Sequence, residues 1–154
     1  MAGLTSGSAP LANRWFSLSV LAALVTDLEH LGGIQGRRDV VVLAATAGQE
    51  EEARFLASAV HLLARLNVTG VPLREVAARG TVIGITPGDA LMVPAPVDYL
   101  AWTERVGHFA ERSDLRAAAR RGLWLTGRIS APAQLGFSAL GWTFHEVSLP
   151  AGTR

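Results

Sequence analysis

Apolar residues recur at helical spacing across residues 15–31, where Leu18, Leu21, Ala22, Val25 and Leu28 share one face and Gly32-Gly33 follow as a stop signal. A first helix is predicted there. Residues 40–45, VVVLAA, form a continuous run rich in β-branched side chains, the pattern of a strand buried on both faces. Glu50-Glu51-Glu52 then open a second helix, because acids in a first turn suit the helix dipole. Phe55, Leu56, Ala59, Leu62, Leu63 and Leu66 follow as an amphipathic stripe.

Further along, Val71-Pro72-Leu73 reads as a short edge strand and residues 74–79 as one helical turn. Residues 81–85, TVIGI, read as a second buried strand that ends in Thr86-Pro87-Gly88-Asp89, whose Pro-Gly pair signals a turn. Extended structure resumes at 90–93 as a hairpin partner. Pro94 and Pro96 precede a predicted helix over 97–111, with Tyr99, Trp102, Val106 and Phe109 on one face. Ser113-Asp114 cap a short basic helix that ends near Arg121, and residues 123–126 form a third strand. Ser130 caps a helix with Pro132 in its first turn and Gly141 at its end, before a last strand over 142–149.

Helices alternating with short apolar strands predict the α/β class: a three-layer sandwich whose mostly parallel sheet, of some four to five strands, is flanked by helices. The length of 154 residues fits a single domain over 14–150. The first thirteen residues, MAGLTSGSAPLAN, read as a flexible leader, and 151–154 as a tail.

Composition then removes whole chemistries. Hydrophobic residues are 49% and charged residues 18%, which permits a packed core and excludes wholesale disorder. All 14 basic residues are Arg, against 13 acids, for a net charge of +1. Without Lys there is no P-loop and no Schiff-base chemistry; without Cys there is no disulfide, thiolate metal site or cysteine nucleophile. A charge so near zero gives no steering toward nucleic acid or an acidic membrane. The apolar stretch 15–25 is too short for a span of about 20 residues and lacks signal-peptide flanks, which favours a soluble, cytoplasmic protein without a membrane span. The Ala- and Arg-rich usage fits a biased genome, and the leader leaves room for an upstream region, as in one domain of a larger bacterial protein.

Ligands of open α/β sheets gather where strand ends lead into helix N-termini. Three loops fit: one with Thr46 and Gly48, one with Thr86, Gly88 and Asp89, and one with Thr126, Gly127, Arg128 and Ser130. The glycines would let amides approach an anion, Arg128 would hold it bidentately, and Asp89 is the candidate general base. His30, His61, His108 and His145 share no ligand spacing, so neither a metal nor another cofactor is expected; His61, between Val60 and Leu62, reads as a boundary residue. Arg112, Arg116, Arg120 and Arg121 make a basic stripe, but no aromatics interleave with it, which argues against nucleic acid. Tyr99, Trp102 and Phe109 offer a surface for a protein partner or self-association.

The stretch 18–48, ending in GRRDVVVLAATAG, resembles the helix-strand unit of von Willebrand factor A domains, although their D-x-S-x-S metal motif is nowhere in the chain. LWLTGRISAPAQLGFSALGWTFHE, residues 123–146, is similar to the strand-helix-strand end of restriction-endonuclease-like folds. The catalytic Lys of that family is absent, so the resemblance implies a fold segment without nuclease activity. Two functional expectations follow. The first is a non-catalytic binding or interaction domain, with a small anion or a protein as partner. The second is a hydrolase or transferase with Asp89 as base and Arg128 on the anionic group, the Gly48 and Gly127 amides stabilising charge.

Overall fold

A computed structural model of the chain describes residues 13–148, so the tail and all of the leader except Asn13 lie outside the described residues. The chain divides between Pro87 and Gly88 into two compact units.

In the first unit, α1 (Leu18–His30) starts at Ser17, whose side chain accepts the Val20 N–H. It buries Leu21, Leu24 and Asp27 and packs along α3 (Glu50–Val68), which buries eight residues from Ala53 to Leu66. Between them in sequence, α2 (Arg37–Ala45) replaces the strand expected at 40–45. The burial explains the correction: Val40 and Ala44, one turn apart, face inward, while Val42 is 58% exposed, so only one side of this run is covered. Tertiary packing and good ends override β-branched propensity. At its start Gly36, at φ 90°, passes so close to the Val76 carbonyl that no Cβ would fit. At its end the Asn13 Nδ2 donates to the carbonyls of Ala44, Ala45 and Ala47, as a side-chain cap of the C-terminal turn.

Strands β1 (Glu75–Ala78) and β2 (Val82–Ile85) complete this unit as an antiparallel pair, with Ala78 opposite Val82. The helical turn expected at 74–79 is therefore mostly strand, and the strand expected at 71–73 lies instead at 75–78. Residues 79–81 are too few for anything but a hairpin return, since a parallel crossover needs about a dozen.

The second unit holds three strands, β3 (Leu91–Ala95), β5 (Arg121–Leu125) and β7 (Trp142–Glu146). β5 pairs in parallel with both others: Leu91 lies opposite Arg121, and Arg121 opposite Trp142. The five strands are thus mixed, antiparallel in the first unit and parallel in the second, rather than mostly parallel. The hairpin partner expected at 90–93 is extended as β3 and runs parallel to β5.

Two short strands, β4 (Tyr99–Leu100) and β6 (Arg128–Ile129), form a separate parallel ladder just beyond the ends of β3 and β5. That ladder overturns the helix expected at 97–111. The carbonyls of Asp98 and Leu100 accept N–H groups of Arg128 and Ser130, so helix α4 (Glu104–Ala110) starts only at the Thr103 cap. After α5 (Ser113–Arg116), β5 begins at once at Arg121; the short helix is capped at Arg112, one residue before the expected Ser113. Helix α6 (Ala131–Ala139) matches expectation, with the Ser130 hydroxyl accepting from Ala133 N. Its Phe137 is 1% exposed and meets Trp102, Trp142 and Phe144 edge-on, at 5.3, 5.6 and 6.1 Å between ring centroids. The Trp142 indole N–H ends on the Ala110 carbonyl at 3.1 Å, so this buried indole is satisfied. No described helix is long and apolar enough to cross a membrane.

Candidate functional site

The first expected loop does not follow a strand. Because 37–45 is helical, Thr46 to Gln49 joins two helices, and its polar groups serve them. The Thr46 hydroxyl donates to the Leu43 carbonyl at 2.7 Å, and the Gly48 N–H donates to Glu52 Oε2 at 2.8 Å. That second bond uses the one amide through which Gly48 would have approached an anion.

The second and third loops lie at opposite ends of the parallel strands. Asp89 precedes β3, while Arg128 follows β5; since Leu91 pairs with Arg121 and Ala95 with Leu125, the length of the sheet separates them. Four residue steps of strand amount to about 13 Å, beyond the reach of a base and an anion clamp on one reacting group. Asp89 adopts φ 65°, the left-handed conformation that Asp tolerates in turns, and beside it the Gly88 carbonyl accepts from Arg120 at 3.0 Å. Thr86 lies on the other side of the division between the units.

In the third loop the backbone is engaged by the β4–β6 ladder. Arg128 N–H donates to Asp98 O and Ser130 N–H to Leu100 O, each at 2.9 Å, and Thr126 N–H reaches Ala95 O at 3.4 Å. Gly127 is required because the chains cross there: a Cβ would strike the carbonyls of Val97 and Asp98. The Ser130 hydroxyl caps α6. The Arg128 guanidinium is exposed and is not engaged by these backbone bonds.

The expected aromatic surface is divided as well. Tyr99 stands 60% exposed on β4, whereas Trp102 packs on Phe137 and against Gly107 and Gly136, and Phe109 packs on Trp142 at 6.1 Å. Most of the basic stripe is structural. Arg112 pairs with Asp114 at 2.7 Å, Arg120 holds Gly88, and Arg121 donates to the carbonyls of Arg116, Ala118 and Leu140.

A polar cluster that the spacing did not bring together lies at the seam of α1 and α3. Asp27 is the single buried charged residue among the described ones, 5% exposed, and both its oxygens lie 3.1 Å from His61 Nδ1. A carboxylate there accepts Nδ1–H and fixes the ring, as second-shell acids do for working histidines. His61 Nε2 and Arg65 Nε, one helical turn apart on α3, are both buried without a hydrogen-bond partner. The sequence reading missed it because it set Leu18, Ala22 and Val25 on the inward face of the first helix, whereas these three are exposed and Leu21, Leu24 and Asp27 face inward.

Among the described residues, no group of three His, Cys, Asp or Glu side chains is placed to hold a metal ion. Compared with known proteins, the chain matches no family model, no curated protein and no solved structure.

Proposed function

We propose that this chain is a non-catalytic α/β binding domain. The observation that carries the reading is the separation of Asp89 from Arg128 by the full length of the parallel strands, which removes the one acid–anion pair on which catalysis was argued. The engagement of the Gly48, Arg128 and Ser130 amides by Glu52, Asp98 and Leu100 supports it further, because an oxyanion hole needs such donors unpaired.

Two measurements test it. A thermal-shift screen against nucleotides, phosphosugars, carboxylates and divalent metals, run beside Arg128→Ala, should give a shift that the substitution leaves intact. A ligand at 100 times its dissociation constant stabilises by about 2.7 kcal/mol, ample for detection. Steady turnover of nitrophenyl esters or phosphates that disappears in Asp89→Asn would overturn the reading in favour of the hydrolase. A second reading, self-association, is favoured by the exposure of Tyr99 alone among the three aromatics. It predicts a dimer in sedimentation that Tyr99→Ser dissociates.

A further inference from the structure

We propose that Tyr99 and Arg128, side by side on the β4–β6 ladder, form the docking surface for an acidic segment of a partner protein, one that presents carboxylates next to an apolar side chain. The inference rests on the binding reading above and gives that reading a partner class.

Three observations carry it. Tyr99 lies directly opposite Arg128 in the parallel register, so the two side chains leave the same face of the ladder from strands about 4.8 Å apart. Both are exposed, Tyr99 at 60%. Their backbones are fixed, because the Arg128 and Ser130 N–H groups donate to the Asp98 and Leu100 carbonyls at 2.9 Å, and Gly127 is packed against Val97 and Asp98. A pair held in this way loses little freedom when a partner docks. Finally, Arg128 makes no ion pair among the described residues, whereas Arg54, Arg74 and Arg112 each have an acid beside them.

Tyr and Arg are the residue types that carry much of the binding energy at protein interfaces, and here they adjoin. The guanidinium keeps its charge at any working pH and offers a planar fork to a carboxylate, while the ring beside it offers an apolar face. Charge also chooses among occupants. A two-fold contact with a second copy, centred on this pair, would bring two Arg128 cations together. A nucleic-acid backbone is gripped by several cations, and Arg128 is the one charge among the four residues of the ladder. An acidic peptide meets the cation and the ring at once. A small carboxylate lacks the apolar contact, so the small-ligand response of the thermal screen is expected to survive Arg128→Ala.

The test is titration of the full chain with a blocked peptide of glutamates flanking a central phenylalanine, at constant ionic strength, followed by the Tyr99 ring and Arg128 Nε–H resonances. Both signals should move together and saturate. Affinity should fall at least tenfold in Arg128→Gln and in Tyr99→Ser, each at an exposed position and each read from the signal that remains. The same loss is expected when glutamine replaces the peptide's glutamates or alanine its phenylalanine. Equal affinity in both variants, or no response to the peptide, overturns the surface. A dimer in sedimentation that Tyr99→Ser dissociates, without peptide binding, overturns it in favour of a second copy. If the thermal screen finds a ligand while the peptide does not bind, this inference falls and the binding reading stands; if neither binds, both fall.

Discussion

The two units differ in where their buried polar groups lie. In the second, side chains and amides hold the crossovers: Arg121 reaches three carbonyls, the Trp142 indole ends on Ala110, Ser130 and Thr103 cap helices, and β4–β6 zips two loops together. In the first, the seam of α1 and α3 holds the Asp27–His61 hydrogen bond and two buried nitrogens without partners. The contrast has a physical source. Parallel strands need long return connections, whose amides must be satisfied as they leave the sheet, while two helices satisfy their own backbones and leave seam side chains free.

The largest expected effect tests whether the aromatic core governs the second unit. Phe137 meets three aromatic rings, and Phe137→Ala should cost about 3–5 kcal/mol by lost burial and a cavity. Urea unfolding measures it directly. A loss under about 1 kcal/mol would mean that the loop hydrogen bonds, rather than ring packing, hold this unit, and the comparison would need redrawing.

Next is the seam. Asp27→Asn removes the carboxylate while keeping its shape, and should destabilise by about 1–3 kcal/mol, the cost of leaving a buried partner poorly paired. His61→Asn, which keeps a donor toward Asp27, should cost less. If the two cost the same, the pair is not an oriented unit and the seam is ordinary packing. The measurement is again the urea midpoint, with the slope checked for constancy.

The sequence made one unit far more legible than the other. Ser130, Pro132 and Gly141 punctuate α6 unambiguously, and the apolar runs at 123–126 and 142–149 matched β5 and β7 to within a few residues. Two readings failed for reasons of context. At 40–45 the β-branched run gave no hint that one side would lie in solvent, nor that Asn13, counted as leader, would cap the helix. At 97–111 the aromatic spacing mimicked a helical face, although Tyr99 is claimed by a ladder with Arg128, far along the chain, information that periodicity does not contain. The mixed pairing was within reach, since the three residues between Ala78 and Val82 already exclude a parallel crossover. Of the candidate site, the individual donors were identifiable but not their partners, because each was engaged by a backbone group specified only by the fold.

A smaller effect separates caps from packing. Ser130→Ala should cost about 1 kcal/mol by exposing the Ala133 amide. Helix α3 provides the converse, since Gln49 makes no side-chain cap bond; Gln49→Ser should therefore raise stability by a few tenths of a kcal/mol to about 1. Equal and opposite shifts in the two midpoints would show that helix starts obey the same local rule in both units, and that their difference lies in the interior.

Arg128→Ala is expected to do least. The residue's structural bond is its backbone N–H to Asp98, which the substitution keeps, and its side chain is exposed, so stability should stay within about 0.5 kcal/mol. A loss above 1 kcal/mol would mean that the guanidinium itself braces the β4–β6 ladder, extending the structural use of polar groups in the second unit to its most exposed arginine.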